Sequence, residues 1–502
     1  MKRWDALLLL CGGFSLGIFL GTFSPASAFD IMAVVGIALV ACGFSLFGKS
    51  FFIRVIFFLL ALALGVWMGS WVLQYWERLP EPSESFRGDV VVVNPSVEKS
   101  FFWESEIRRD HCESGFCPGE TILLRESSAQ ERMLGDRLAI DCDMKRPEEY
   151  IEIAGRQVAY RLILATRGIG YVCEKPIRVT AIGRSSDMGL RFRRILFSVR
   201  EKFVQSLEGS LPAPEAALSL GMLMGADEGF SSVERTLFIR TGVTHVTAVS
   251  GYNITLVGML LFFLAIVFGW YRRGASIVAI IGIIIYVLLV GAPASAVRAG
   301  IMGSFLLLTL AIGRPGSGFR IWLFALAGML VWNPLLVRFD IGFELSYLAT
   351  LALILYASVR ERFWMPKNIV ARFFFELALI SLFVEWLVAP VILIQFGTFS
   401  LVSIIANISI VLLVPLIMIF AFLTGLVGLV IPGGVFFLNW PTFFLAHLFI
   451  AGAELLSGLP GSFFSDISVS LWWIVLWYVV TGYVFFLFSN SGSTPVFVQG
   501  LN

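Results

Sequence analysis

Charge is scarce in this chain. Only 14% of its 502 residues are charged and 58% are apolar, where a soluble domain carries about 25% charged residues. That excludes an ordinary soluble globular class. Histidine is scarcer still: His111, His245 and His447 are the only three, too few for a histidine-rich metallohydrolase. No Gly-x-Ser-x-Gly elbow surrounds Ser250, because position 248 is Ala248, which removes the strained turn that exposes a hydrolase serine. His245 stands five residues from Ser250, a spacing at which two side chains do not face one another on a helix. The six cysteines contain no Cys-x-x-Cys pair. The net charge of +2 argues for no class of partner.

What is abundant is the long apolar run. Stretches of about 20 apolar residues recur, each enough to cross a hydrocarbon core of about 30 Å. The fold class is therefore a polytopic α-helical membrane protein, with about twelve spans expected. Three runs, 6–24, 29–47 and 52–76, precede a polar stretch dense in both signs. Lys2, Arg3 and "ASA" at 26–28 resemble a secretory leader, but the apolar run is long for one and reads as a retained helix. Lys2, Arg3, Lys49 and Arg54 put the N-terminus and first tight loop in the cytoplasm by the positive-inside rule. The polar stretch from Glu77 then faces outside. The domain plan is 1–76, N-terminal membrane helices; 77–190, an extracytoplasmic domain; 191–245, an amphipathic and re-entrant segment; 246–489, a transmembrane domain; 490–502, a tail.

The outside domain reads as five short β-branched strands, 88–93, 120–125, 136–144, 168–174 and 177–183, with a helix at 151–165. That pattern suits an OB-like β-barrel, and a β-sandwich remains open. Four cysteines lie here. Outside the cytoplasm Cys142, Cys173, Cys112 and Cys117 are disulfide candidates, with free thiols or a zinc site using His111 as the alternatives. No metal or other cofactor is expected. "RFRRILFSVREKF" carries Arg191, Arg193, Arg194, Arg200 and Lys202 between apolar residues. It reads as a helix lying on anionic membrane lipid, as a basic rim at a pore mouth, or as both. "GFSLFGKS" at Gly43–Ser50 matches the phosphate-binding P-loop letter for letter. Its flanks are membrane helices and not a strand and a soluble helix, so nucleotide binding is set aside.

Ionisable residues at membrane depth are functional candidates by default. Arg298 follows Pro293 in "GAPASAVRAGIMG", and Glu344 lies one turn beyond Asp340 in "FDIGFELSYLAT". Arg298 is expected to point into the bundle near a carboxylate or the carbonyls freed by Pro293, with Glu344, which lies deeper, favoured over Asp340. "THVTAVSGYNITL" loads the start of an apolar segment with His245, Ser250, Gly251 and Asn253. Such residues make poor membrane helix and good irregular backbone, which is tolerated where protein buries it or where it lines water.

These residues resemble the ComEC-type competence DNA-uptake channels. The family's signature, with histidine at its first and last positions, stands here as His245, Val246, Thr247, Ala248, Val249, Ser250, Gly251, Tyr252, Asn253, so the second histidine is replaced. Further family patterns match Ser295–Met302 and Gly342–Thr350, with Glu344 for glutamine and Tyr347 for phenylalanine. "FGTFSLVSIIANISIVLLVPL" at 396–416 is similar to a later family segment. Gly135–Ile140 and Tyr160–Ile169 echo its outer domain. The resemblance implies an inner-membrane channel, not an enzyme, that translocates single-stranded DNA during natural transformation. It points to His245, Ser250, Gly251, Asn253, Arg298, Glu344, Ser346 and Asn407 as the path. It implies partners: single-stranded DNA, a DNA receptor outside, a cytoplasmic ATP-driven motor and a separate nuclease. A homo-oligomer is compatible with it. A transporter of another anionic polymer or lipid-linked substrate, or an envelope scaffold, are the alternative readings.

Overall fold

The computed structural model describes residues 3–23, 49–82, 86–98, 102–109, 121–127, 132–153, 156–225, 229–247, 249–313, 317–430 and 436–490. Two compact units form, Met1–Ser198 with Leu326–Ile341, and Val199–Ala325 with Gly342–Asn502.

The first unit opens with α1 (Arg3–Gly21) and α2 (Lys49–Glu77). They cross at glycines. A Cβ on Gly13 would lie 2.5 Å from the Phe58 carbonyl oxygen. Cβ atoms on Gly17 and Gly21 would strike the Leu62 and Val66 carbonyls, and one on Gly65 that of Phe14. Residue numbers rise together on the two helices, so they run parallel. Small residues four apart let the backbones touch, as in membrane helix dimers.

The sheet follows as β1 (Phe86–Glu98), β2 (Trp103–Arg109), β3 (Thr121–Glu126), β4 (Asp136–Cys142), β5 (Met144–Lys145), β6 (Ile151–Ile153), β7 (Arg156–Val158), α3 (Tyr160–Thr166), β8 (Ile169–Glu174) and β9 (Arg178–Arg184). Strand order in the main sheet is β5-β8-β3-β2-β1-β4-β9, with β3 and β8 parallel. Only Asp143 separates β4, which pairs with β1, from β5, which pairs with β8. One short stretch of chain therefore supplies the first strand of the series, β5, and the sixth, β4, with β9 beyond it, and the sheet has to curl. Inside lie Val90, Val92, Ile107, Ile122, Leu124, Leu138 and Ile140. Cys142 and Cys173 are bonded there with Cα atoms 6.1 Å apart, as the sequence led us to expect. Cys112, Cys117 and His111 lie outside the described residues.

Two expectations fail. The helix placed over 151–165 is in its first half the β6–β7 hairpin, Ile151 opposite Val158. Ile151-Glu152-Ile153 alternates with period two, the strand period, and helix begins only at Tyr160. The strand β2 was not foreseen, because "WESEIRR" is mostly charged. Its two carboxylates are satisfied in place: Glu104 pairs with Arg125 at 3.1 Å, and Glu106 pairs with Arg167 and accepts from Asn94.

After the sheet come α4 (Met188–Glu208), α5 (Ala213–Met224), α6 (Ser232–Thr241), α7 (Thr244–Thr247), α8 (Gly251–Val267), α9 (Arg272–Leu289), α10 (Ala294–Ile312), α11 (Gly318–Trp332), α12 (Leu336–Phe339), α13 (Ile341–Val359), α14 (Ile369–Phe396), β10 (Phe399–Ser400), α15 (Ser403–Ser409), α16 (Val414–Val430), α17 (Phe436–Ser457), β11 (Phe463–Phe464) and α18 (Leu471–Asn490). The segment Leu326–Ile341 packs with the first unit, where Asn333 Nδ2 donates to the Thr166 carbonyl at 2.8 Å. Among the described residues seven helices are long and apolar enough to cross a membrane, and four shorter apolar ones accompany them. The about twelve spans expected are thus matched only as a multi-pass class. At the centre of the second unit lies α5, buried along almost its whole length. Its twelve residues rise only about 18 Å, too short to span a bilayer.

Candidate functional site

The helix start singled out in the sequence is broken. α7 stops at Thr247, Ser250 is extended at φ −98° and ψ 164°, and α8 begins at Gly251. Two of its side chains do structural work at once. Asn253 Nδ2 donates to the Met222 carbonyl at 2.7 Å, and Ser250 Oγ donates to Asn253 Oδ1 at 3.0 Å. Tyr286 of α9 donates to the next carbonyl, Leu223, at 2.6 Å. Met222 and Leu223 stand in the last turn of α5, where carbonyls have no intrahelical donor. Side chains from α8 and α9 therefore cap the end of α5. Asn253 is 2% exposed, so its amide shapes the break and is not free for a passing ligand.

Close approach holds the break together. A Cβ on Gly221 would sit 2.6 Å from the Thr247 carbonyl oxygen, so only glycine lets α5 meet α7 there. On the other side Ser295 Oγ donates to the Val249 carbonyl at 3.1 Å. A Cβ on Gly251 would sit 2.6 Å from Arg298 Nη2.

Arg298 is buried, as expected, but its partner differs. Nη1 donates to Thr350 Oγ1 and lies 3.7 Å from Met302 Sδ, and the guanidinium stands 5.6 Å from the centre of the Tyr347 ring. Among the described residues these neutral groups, and not the Glu344 carboxylate, are its contacts. Thr350 is six residues beyond Glu344, on a later turn of α13, and Thr350 Oγ1 itself donates to the Ser346 carbonyl at 2.9 Å. Arg298 Nε is buried without a partner.

The remaining path candidates do not join this cluster. His245 is exposed, and its Nδ1 lies 3.2 Å from the Gly242 carbonyl oxygen. Asn407, on α15, has its Oδ1 buried without a partner. The basic rim divides by function. Arg193 Nη2 donates to Asn94 Oδ1 at 3.0 Å and Arg194 Nε to the Leu134 carbonyl at 2.9 Å, which ties that end of α4 to the sheet. Arg200 Nη2 reaches the Met224 carbonyl at 3.5 Å, while Arg191 and Lys202 are exposed. Met188, Phe192, Ile195 and Val199 form an exposed apolar stripe along α4.

Sequence reasoning missed two features. One is Glu215 on α5, which is buried and accepts from His447 Nδ1 at 2.9 Å. A carboxylate in the apolar 211–224 stretch was the available signal. The other is an open pocket of about 860 Å³ beside β5, lined by Glu81, Asp143, Lys145, Arg146, Glu148 and Arg161 among others. Its charges are mixed in sign, which argues against a phosphate track.

The model of the family described as Competence protein matches residues 222–491, more than half of the chain and all eight path candidates. The ComE operon protein 3 of Bacillus subtilis (strain 168) is 28% identical over 230 residues, 46% of this chain and 28% of that protein. The match therefore spans less than a third of that relative's length. No solved structure matches.

Proposed function

The chain belongs to the Competence protein family, and from that premise we propose that it is an inner-membrane channel passing single-stranded DNA into the cytoplasm during natural transformation. The observation that carries the reading is one of coincidence. The stretch matched by the family model, 222–491, contains the broken helix start and the buried arginine, the two polar features that a plain helical bundle does not need. Irregular backbone at membrane depth belongs beside water or protein, and a strand of phosphates needs donors along its way.

In this reading His245, Ser250, Gly251, Arg298, Glu344, Ser346 and Asn407 line the path, and Asn253 holds it open by capping α5. The curled sheet is an OB-like barrel outside the membrane; its parallel β3–β8 pair and its β4–β5 stretch, which supplies the first and the sixth strand of the series, support that. The exposed stripe of α4 lies on lipid, with Arg191 and Lys202 toward headgroups. About twelve spans follow if the four shorter apolar helices also cross. A receptor outside, an ATP-driven motor and a separate nuclease complete the process.

The test is uptake of fluorescently labelled DNA by cells with and without the gene, with complementation. Loss of cytoplasmic label while surface binding persists is the expected result. Normal import with a lipid or glycan defect in its place would turn the reading toward a transporter of another substrate.

A further inference from the structure

We propose that Arg298 and the N-terminus of α8 together form a binding site for a phosphate-type oxyanion. The proposal rests on the channel reading only for the source of that phosphate.

Arg298 is 6% exposed. An arginine keeps its charge at any working pH, and a buried charge is stable only when paired and hydrogen-bonded. Its surroundings meet this in part. Nη1 is taken by Thr350 Oγ1 and Met302 Sδ, and the Tyr347 ring faces the cation. None of these carries negative charge. Nε is buried without a partner, and Nη2 points at Gly251.

What Nη2 points at is the first residue of a seventeen-residue helix. A helix N-terminus carries unpaired N–H groups and about half a positive charge. Capping side chains normally answer that, but Ser250 at the N-cap makes no such bond. Its hydroxyl is turned to Asn253 Oδ1 instead. Two sources of positive potential thus converge on one point, each with donors to spare, and no carboxylate among the described residues pairs with Arg298. Convergent N–H donors of this kind are the recognition chemistry of phosphate oxygens. A methyl group at position 251 would meet Nη2 at 2.6 Å and push the guanidinium from its place, so glycine is what lets the two approach this closely.

The test uses the full-length protein purified in a phosphate-free maltoside detergent. Binding of radiolabelled inorganic phosphate is followed by equilibrium dialysis at constant ionic strength set with gluconate. Wild type should bind saturably, Arg298→Gln at least tenfold more weakly, and Arg298→Lys in between, since an ammonium lacks the planar fork. Elution as a monodisperse peak qualifies each variant. Absence of saturable binding in wild type overturns the site, as does unchanged affinity in both variants. Displacement by single-stranded oligothymidylate names the strand as the source, and displacement by short-chain phosphatidylglycerol names a headgroup. Cellular import by the same variants separates the two claims. Phosphate binding with normal import keeps the site and removes it from the channel reading. Lost import without phosphate binding does the reverse.

Discussion

The bond between Cys142 and Cys173 offers a perturbation whose size can be worked out. It joins residues 31 apart in sequence. Closing such a loop removes about 12 cal/mol/K from the unfolded chain, or about 4 kcal/mol at 25 °C. Both cysteines are fully buried among Val90, Leu138, Ile140 and Met144. The bond also sits where β4 hands over to β5, the point at which the sheet curls back on itself. A small domain is stable by about 5–15 kcal/mol, so the loss is a large share. For a sheet of about 100 residues the urea slope is about 1–3 kcal/mol/M, which converts the loss to a midpoint shift of about 1–4 M. The assay is pulse proteolysis of the full-length protein in nanodiscs across a urea series, scoring cleavage within 86–184. The double variant Cys142→Ala/Cys173→Ala and reduced wild type should shift alike. A shift below about 0.5 M in both would refute the argument that this cross-link closes the sheet.

Three further outcomes follow from single contacts. Asn253→Leu leaves the Met222 carbonyl and the Ser250 hydroxyl unpaired, at about 1–3 kcal/mol for each buried group. Its thermal unfolding midpoint in nanodiscs should fall, with Asn253→His recovering part; a midpoint equal to wild type counts against the capping role. Gly65→Val drives a methyl group into the Phe14 carbonyl and should cost about 1–3 kcal/mol. Its thermal unfolding midpoint in nanodiscs should fall below that of wild type, and an unchanged midpoint contradicts the close crossing of α1 and α2 at this glycine. Arg132 and Glu126 form a buried two-point pair at 2.9 and 3.1 Å. Arg132→Met should cost about 3–5 kcal/mol by stranding a buried carboxylate, and adding Glu126→Leu should restore most of it in the urea series.

The sequence by itself determined whatever depends on local pattern. Long apolar runs dictate membrane helices because a bilayer admits no unpaired backbone. The polar load at 244–253 announced broken backbone, which is there. The cysteine pair was legible because two strand-ending cysteines outside the cytoplasm have few other fates. The helix at 151–165 went wrong because a three-residue strand and a helix start share too few residues for period to separate them. β2 was hidden because its carboxylates are paired with Arg125 and Arg167 and hydrogen-bonded by Asn94, partners that only folding assembles. Tertiary structure alone decided the partner of Arg298. Depth in the sequence favoured Glu344, but a side chain reaches what its helix faces, and α10 faces Thr350 and Tyr347. Tertiary structure also turned Asn253 from a lining residue into a cap, since the carbonyl it satisfies, that of Met222, belongs to an earlier helix. Periodicity reports which residues share a face of one element; which element that face meets is settled by packing across the whole chain.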